Sequence, residues 1–232
     1  MSNSSKPIIR WTIGEKSTYE SIECLHESIE TFKKLYGSSF DYFLCHNNFD
    51  TSQIKCNIEL IDQHDHINSL KFPPSKCSWK LYPPRIRPES HEIFIDNDLL
   101  IYKKMPIIER FLESNKLIFC TEAIARRFGN YDQLIPEGVK INVGFFGIPP
   151  HYDLGNKLNE TIIGKWENYF DDQGILSTIF MKEEDDFEII PLTDIEISAG
   201  RLERGRYGIH FVGLNTDNID HWIDYKLIVD WL

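Results

Sequence analysis

The sequence has no long hydrophobic run, since none approaches the roughly 20 apolar residues that a membrane-spanning helix needs. Residues 1–7 are polar and contain no apolar core of a signal peptide. The five cysteines are scattered, and none forms a Cys-x-x-Cys pair. Their odd number and spacing favour reduced thiols over a disulfide framework or a zinc cluster. We therefore expect a cytoplasmic protein without a transmembrane segment.

The chain also lacks an excess of basic residues. It has 25 lysines and arginines against 36 aspartates and glutamates, which gives a formal net charge of -11. This charge argues against non-specific nucleic-acid binding, which depends on basic patches. It leaves open a phosphate-bearing ligand, because a metal ion and a few local arginines can supply positive charge. No internal repeat, low-complexity tract or linker divides residues 1–232, so we expect a single domain.

The most informative stretch is an apolar run, Glu92 to Ile95, that stops at Asp96-Asn97-Asp98. A short apolar run of this kind is typical of a strand buried in an α/β sheet. The aspartates follow it at the carboxyl end, where such sheets place ligand crevices. Residues i and i+2 of an extended segment point the same way, so both carboxylates can reach one divalent cation. A polar turn at a strand end is the alternative interpretation.

The first fifty residues predict the class of fold. Ile8 to Ile13 has the pattern of a strand, and Tyr19 to Tyr36 has helical periodicity bounded by Thr18 and Gly37. Phe40 to His46 has the pattern of a second strand. Strand, helix and strand in this order favour a right-handed βαβ unit, and hence an α/β fold with a mostly parallel central sheet flanked by helices.

Further elements follow along the chain. Ile54 to Ile61 predicts a third strand or an edge hairpin. His64 and His66, which have acidic neighbours, could ligate a metal, but a solvated loop is the favoured interpretation there. The remaining predicted strands are 117–120, 140–148, 187–192 and 207–212. Two predicted helices begin at Pro106 and near Asp171-Asp172. Three others span 122–128, 154–170 and 222–232. A proline-rich segment, 72–88, precedes the aspartate strand. It either brings Arg85 and Arg87 close to Asp96 and Asp98 or is a surface loop with solvated arginines.

Four short motifs occur in a characteristic order: Asp96-Asn97-Asp98, Asn142-Val143-Gly144, Asp172-Gln173 and His210-Phe211-Val212-Gly213, with Trp222 beyond. In this order they resemble the motifs of the GT-A glycosyltransferases, and most closely those of the family 8 type, which includes glycogenin-like and bacterial galactosyltransferase-like enzymes. The resemblance spans nearly the whole chain. It implies the GT-A fold and transfer of a sugar from a nucleotide-diphosphate sugar to an acceptor that the sequence does not identify.

The resemblance also implies roles for individual residues. Asp96, Asp98 and His210 would hold Mn²⁺ or Mg²⁺, and Asp172 and Gln173 would face the anomeric carbon. The remaining residues implied in donor binding, with a uridine nucleotide favoured, are Thr12, Ile13, Gly14, Tyr19, Arg85, Arg87, Asn97, Asn142 and Gly213.

One departure from the family concerns the terminal motif. The family carries Lys-Pro-Trp soon after its glycine, whereas here Leu214-Asn215-Thr216-Asp217 follows Gly213. The lysine that would contact the diphosphate is therefore missing. Either Arg201, Arg204, Arg206 or His221 replaces it, or the donor is held more weakly.

Two other functions are compatible with an Asp-x-Asp strand end. A haloacid-dehalogenase-type phosphohydrolase uses the first aspartate as a nucleophile and the second as acid and base. That motif normally lies near the start of its domain, and the residue after it is small and hydroxylated or β-branched, whereas here Leu99-Leu100 follows. A catalytically silent α/β protein that binds nucleotide sugars is the second alternative.

Overall fold

The computed structural model describes residues 5–68, 78–124, 127–164, 166–183, 186–198, 202–214 and 219–229. The strands are β1 (Ile8–Gly14), β2 (Asp41–Asn47), β3 (Glu59–Asp62), β4 (Glu92–Asp96), β5 (Leu99–Ile101), β6 (Leu117–Thr121), β7 (Ile141–Ile148), β8 (Phe187–Ile190), β9 (Ile195–Ile197) and β10 (Gly208–His210). The α-helices are α1 (Tyr19–Tyr36), α2 (His64–Asn68), α3 (Pro106–Leu112), α4 (Leu154–Thr161), α5 (Asp171–Phe180) and α6 (Asp220–Val229).

A seven-stranded sheet forms the centre of the fold, with the strand order β3-β2-β1-β4-β7-β6-β8. All neighbouring pairs in it are parallel except the two that involve β7, which runs antiparallel to β4 and β6. The predicted α/β class with a mostly parallel sheet is therefore confirmed. Among the residues that the structure describes, no helix is long and apolar enough to cross a membrane.

The predicted β1-α1-β2 unit is present, and local signals set the bounds of its helix. The Thr18 hydroxyl accepts a hydrogen bond from the Ser21 amide, which caps the amino end of α1. Gly37 adopts a φ of 55° at the carboxyl end, and its amide donates to the Lys33 carbonyl. Helix α1 therefore begins and ends at the predicted residues.

Alternating residues of β1 point to opposite faces of the sheet. Ile9, Trp11 and Ile13 pack into one buried cluster with the apolar face of α1. Arg10 and Thr12 are also buried but point to the other face, as the two-residue period of a strand requires. This second face carries the polar groups that reach the cavity described below.

A smaller sheet, in the order β5-β10-β9, lies beyond the end of β4. Only Asn97 and Asp98 lie between β4 and β5, so the chain passes from one sheet to the other at the Asp-x-Asp motif. Strand β10 runs antiparallel to β5, with His210 opposite Leu99. The second sheet therefore brings the end of β10 next to the end of β4.

Several predicted elements differ from the structure. The segment 154–170 is not one helix, because α4 ends at Thr161 and the next residue is already extended, with ψ of 115°. The described residues of 122–128 form bends rather than a helix. Residues 64–68 form a short helix instead of a loop, and the segment 54–61 supplies the parallel edge strand β3.

Candidate active site

The two aspartates after β4 and the histidine that ends β10 meet at one point. His210 Nε2 lies 3.1 Å from Asp98 Oδ1 and 4.0 Å from Asp96 Oδ2, although 112 residues separate His210 from Asp98. One ligand atom of each of the three residues lies within 4.8 Å of the other two. Hard divalent ions stand about 2.0–2.6 Å from their oxygen ligands, so atoms spaced in this way can share one ion. The predicted convergence is confirmed.

Backbone contacts between the strands fix this geometry. The Phe211 amide donates to the Asp98 carbonyl at 2.8 Å, directly beside the side-chain contact. Leu99, which follows Asp98, and Ile209, which precedes His210, are both fully buried. The short sheet therefore sets the spacing of Asp98 and His210.

Gly144 on β7 leaves the room that the His210 imidazole occupies. A Cβ built on Gly144 would lie 2.2 Å from His210 Cε1 and 2.8 Å from Nδ1. The Asn142 side chain is held at both ends, because its Oδ1 accepts from the Gly144 amide at 2.8 Å and its Nδ2 donates to Glu122 at 3.0 Å. The Asn-x-Gly motif therefore supports the histidine as well as lining the site.

Lys80 brings a positive charge into the centre of the site. Its Nζ lies 3.0 Å from Asp96 Oδ1 and 2.8 Å from Asp172 Oδ2, and 12% of its side chain is exposed. It thereby links a candidate metal ligand to a candidate catalytic carboxylate. Sequence reasoning missed this residue, because it lies in a segment without periodicity and belongs to no motif.

The first turn of α5 separates a structural aspartate from one that faces the site. Asp171 accepts hydrogen bonds from the amides of Asn130, Glu167 and Asn168 at 2.8–2.9 Å. The next residue, Asp172, instead points toward Lys80. Asp171 therefore holds the chain that leads into α5, whereas Asp172 faces the site.

These groups surround a cavity of about 530 Å³ at the carboxyl ends of β1 and β4. Its lining includes the exit of β1, Asn47 of β2, and Glu122, Tyr169 and Phe170. The cavity brings together most of the predicted site residues: Thr12, Ile13, Gly14, Asp96, Asn97, Asp98, Asn142, Asp172, Gln173, His210 and Gly213.

The electrostatics of the cluster favour added positive charge. Burial raises the pKa of Asp96; Lys80 lowers it and Asp98 raises it, and the result lies above the usual value. Burial alone would lower the pKa of His210, but the charge of Asp98 and the hydrogen bond to it outweigh burial, so the pKa is raised. The carboxylates therefore attract protons in the absence of another cation.

Three predicted donor contacts lie elsewhere, and the prediction that places them in the site is wrong. Arg85 donates to the Pro149 carbonyl at 2.7 Å, and Arg87 pairs with Asp41. Both partners lie at the end of the sheet where β1 begins, opposite the aspartates. Asp41 is the first residue of β2, and Pro149 follows the last residue of β7, which runs antiparallel to β4. The Tyr19 ring is 71% exposed and bonds to Glu23 on the outside of α1.

The structure describes three of the four expected replacements for the missing lysine, and none of these three lines the cavity. Arg204 lies over the Tyr102 ring, Arg206 lies over the Tyr207 ring, and His221 contacts Ser198. Arg201 lies outside the described residues. Among the described residues, the lysines and arginines that line the cavity are Lys16, Lys80 and Arg127.

Comparison with solved structures defines the class of fold. No family model matches the chain, and no curated protein matches it in sequence. The sheet and its flanking helices form the GT-A fold of glycosyltransferase structures, as the resemblance implied.

Three solved structures represent this likeness. The galactosyltransferase LgtC, in complex with donor and acceptor sugar analogues, is 14% identical, with a TM-score of 0.54 over 82% of this chain and 75% of that one. Mouse xyloside xylosyltransferase 1 is 12% identical, with a TM-score of 0.61 over 88% and 96%. The bifunctional glycosyltransferase WbbM is 12% identical, with a TM-score of 0.65 over 96% of this chain and 49% of that one.

Proposed function

We propose that the chain transfers a sugar from a nucleotide-diphosphate sugar to a hydroxyl group of an acceptor, with a divalent metal ion at Asp96, Asp98 and His210. The observation that carries this proposal is the meeting of these three side chains within 4.8 Å at the end of β4. The GT-A fold supports it, because similar solved structures are glycosyltransferases. The haloacid-dehalogenase alternative is not favoured.

The donor set suits a hard or borderline divalent ion. Two carboxylates and one imidazole favour Mn²⁺ over Mg²⁺, since Mg²⁺ prefers oxygen ligands. When bound, such an ion supplies Lewis-acid stabilisation of the negative charge on a departing diphosphate. The raised pKa of His210 means that its imidazole must lose a proton before it can ligate an ion.

The exit of β1 is proposed as the place for the nucleotide. Thr12, Ile13 and Gly14 lie at one end of the cavity, with Asn97 and Gly213 also in its lining. The Trp79 indole packs on Gly14, where a Cβ would come within 2.6 Å of its Cζ2 atom. Trp79 therefore presents an aromatic surface beside Gly14, whereas Tyr19, the aromatic residue expected to bind the donor, lies outside the cavity. A uridine nucleotide is favoured by the family resemblance.

Asp172 and Gln173 are proposed to act at the sugar. Positive charge develops on a sugar ring when its anomeric bond breaks, and a nearby carboxylate or amide oxygen stabilises that charge. Gln173 Nε2 donates to the Arg127 carbonyl at 3.0 Å, which orients the amide, and Lys80 orients the Asp172 carboxylate. Asn142, held by Glu122, is proposed to contact the sugar or the acceptor.

A thermal-shift screen tests the proposal. Nucleotides and nucleotide sugars are added with and without Mn²⁺, because a ligand that binds the native state raises its apparent stability. We expect UDP-sugars to raise the Tm only when Mn²⁺ is present. Asp98→Asn should abolish this increment, while Asp224→Asn, which makes the same charge change on the exposed face of α6, should keep it.

Other outcomes separate the alternatives. Metal-independent stabilisation by phosphomonoesters, without any by nucleotide diphosphates, would support a phosphohydrolase. Metal-dependent binding of a UDP-sugar with neither transfer nor donor hydrolysis would identify a silent binding protein.

A further inference from the structure

Two fully buried polar side chains hold the backbone of the segment that carries Lys80. Arg10 and Gln63 both have 0% exposure. Arg10 donates to the Lys80 carbonyl at 3.1 Å and to the Pro83 carbonyl at 2.7 Å. Gln63 Nε2 donates to the Trp79 carbonyl at 3.1 Å and also to the Tyr82 carbonyl. Four of the five carbonyls from Trp79 to Pro83 are thereby held by two side chains.

Glu92 completes this arrangement. Its Oε1 accepts from Arg10 at 3.0 Å and its Oε2 accepts from the Ile86 amide at 3.0 Å. The Arg10 guanidinium also lies 4.2 Å from the centre of the Phe94 ring. A buried ion pair adds little net stability compared with apolar packing, because both charges lose their hydration. What this pair does add is directional contact with a segment that faces the cavity.

We propose that Arg10 is a positioning residue for Lys80, and that Gln63 assists it. The fixed backbone at Lys80 determines where its ammonium group can reach, and that group spans Asp96 and Asp172 at 3.0 and 2.8 Å. Shifting the segment by an ångström would break at least one of these contacts, and small misplacements of this kind cost large factors in rate. The effect on turnover rests on the proposed function, whereas the effect on Lys80 does not.

The test therefore uses two readouts. The first is the rate at which an amine-reactive reagent labels Lys80 in the native protein, measured by mass spectrometry of the peptides. The ion-paired Lys157 serves as an internal reference, since 35% of its side chain is exposed against 12% for Lys80. The second is the separate measurement of kcat and of KM for a UDP-sugar, in the presence of Mn²⁺.

We expect Arg10→Met to raise Lys80 labelling about 10-fold or more relative to Lys157, because the ammonium group leaves its two carboxylates. We expect kcat to fall about 10- to 100-fold with KM changed less than about 3-fold, a range typical when supporting contacts of a site are removed. Arg10→Lys keeps the charge beside Glu92 but loses the forked donor geometry. Its Lys80 labelling rate and its kcat should therefore lie between those of Arg10→Met and the wild type.

Trp11→Phe is the matched control. Trp11 is the next residue on β1 and is equally buried, but it points to the other face, where its indole donates to Ser28 at 2.9 Å. Its substitution should lower the Tm and leave Lys80 labelling unchanged. If Arg10→Met does not fold, Arg10→Lys and Gln63→Leu decide the question, because each removes part of the anchoring.

Unchanged Lys80 labelling in folded Arg10 and Gln63 variants would overturn the proposal. Equal increases in the Trp11→Phe control would also overturn it, since the effect would then be general loosening of the protein. If the wild-type protein transfers no sugar, the proposed function fails while the labelling result still decides the role of Arg10.

Discussion

Gly144→Ala is expected to damage the metal site without removing any candidate ligand. The new methyl group would lie 2.2 Å from His210 Cε1, against an ordinary contact distance of at least 3.4 Å, so the ring must retreat by roughly 1.2 Å. Metal–ligand distances tolerate only about 0.2 Å of change. The imidazole would then be misplaced for any ion that Asp96 and Asp98 hold.

The magnitude follows from the loss of one well-oriented ligand. Disturbing the orientation of a metal ligand typically costs about 10- to 100-fold in affinity. This corresponds to about 1.4–2.7 kcal/mol of binding free energy. We expect the Mn²⁺ dissociation constant of Gly144→Ala to rise by at least this factor, measured by electron paramagnetic resonance of the free ion during titration.

Gly147→Ala provides a matched control on the same strand. Its Cβ would lie 2.8 Å from Ile118 Cγ1 and 2.9 Å from Phe111 Cζ, in the apolar core away from the site. Both variants are overpacked, at a cost of about 1–3 kcal/mol of stability. Only Gly144→Ala should lose Mn²⁺ affinity. Equal losses in both variants, or wild-type affinity in Gly144→Ala, would refute the reasoning.

Three other changes test separate parts of the site. Asp172→Asn should keep the Tm and Mn²⁺ affinity, since Asp171 anchors the first turn of α5, but should lower turnover about 100-fold or more; normal turnover would refute its catalytic role. Mn²⁺ affinity should fall as the pH drops through the raised pKa of His210, because proton and ion compete for one imidazole. A calorimetric pH series measures this, and an unchanged pH dependence in His210→Asn would contradict it. The contribution of His210 to the folding stability of the metal-free protein has the opposite pH dependence. Because its pKa is raised in the folded state, this contribution is present at low pH and is lost as the pH rises through that pKa. Arg87→Met should leave nucleotide binding unchanged in the thermal-shift assay, and weaker binding would restore the donor role that its position argues against.

The sequence predicted those parts of the fold whose signals are local. Helix α1 follows from its periodicity and from Thr18 and Gly37 at its ends. The meeting of Asp98 with His210 followed from the order of motifs in a family resemblance, and not from any pattern around His210 itself. Metal binding, the roles of the donor-binding residues and the single-domain organisation stay predictions.

The errors have a common physical cause, which is that irregular segments carry little information about direction. Arg85 and Arg87 lie close in sequence to the aspartate strand. They precede it, however, and lie at its amino end, whereas the aspartates lie at its carboxyl end. Lys80 lies further from that strand in sequence and reaches its end. Helix α4 stops at Thr161, shortly before Gly164, because glycine disfavours the interior of a helix.

The pairing of β5 with β10 makes the candidate ion site a late product of folding. The two strands enclose more than a hundred residues of chain, and contacts over such separations form slowly compared with the local β1-α1-β2 unit. The exit of β1 can therefore take shape before the three ligands meet. An ion would stabilise only chains in which the C-terminal strands have docked, so that its uptake would report the completion of folding. Destabilising changes in β9 or β10 would then lower Mn²⁺ affinity even where they touch no ligand.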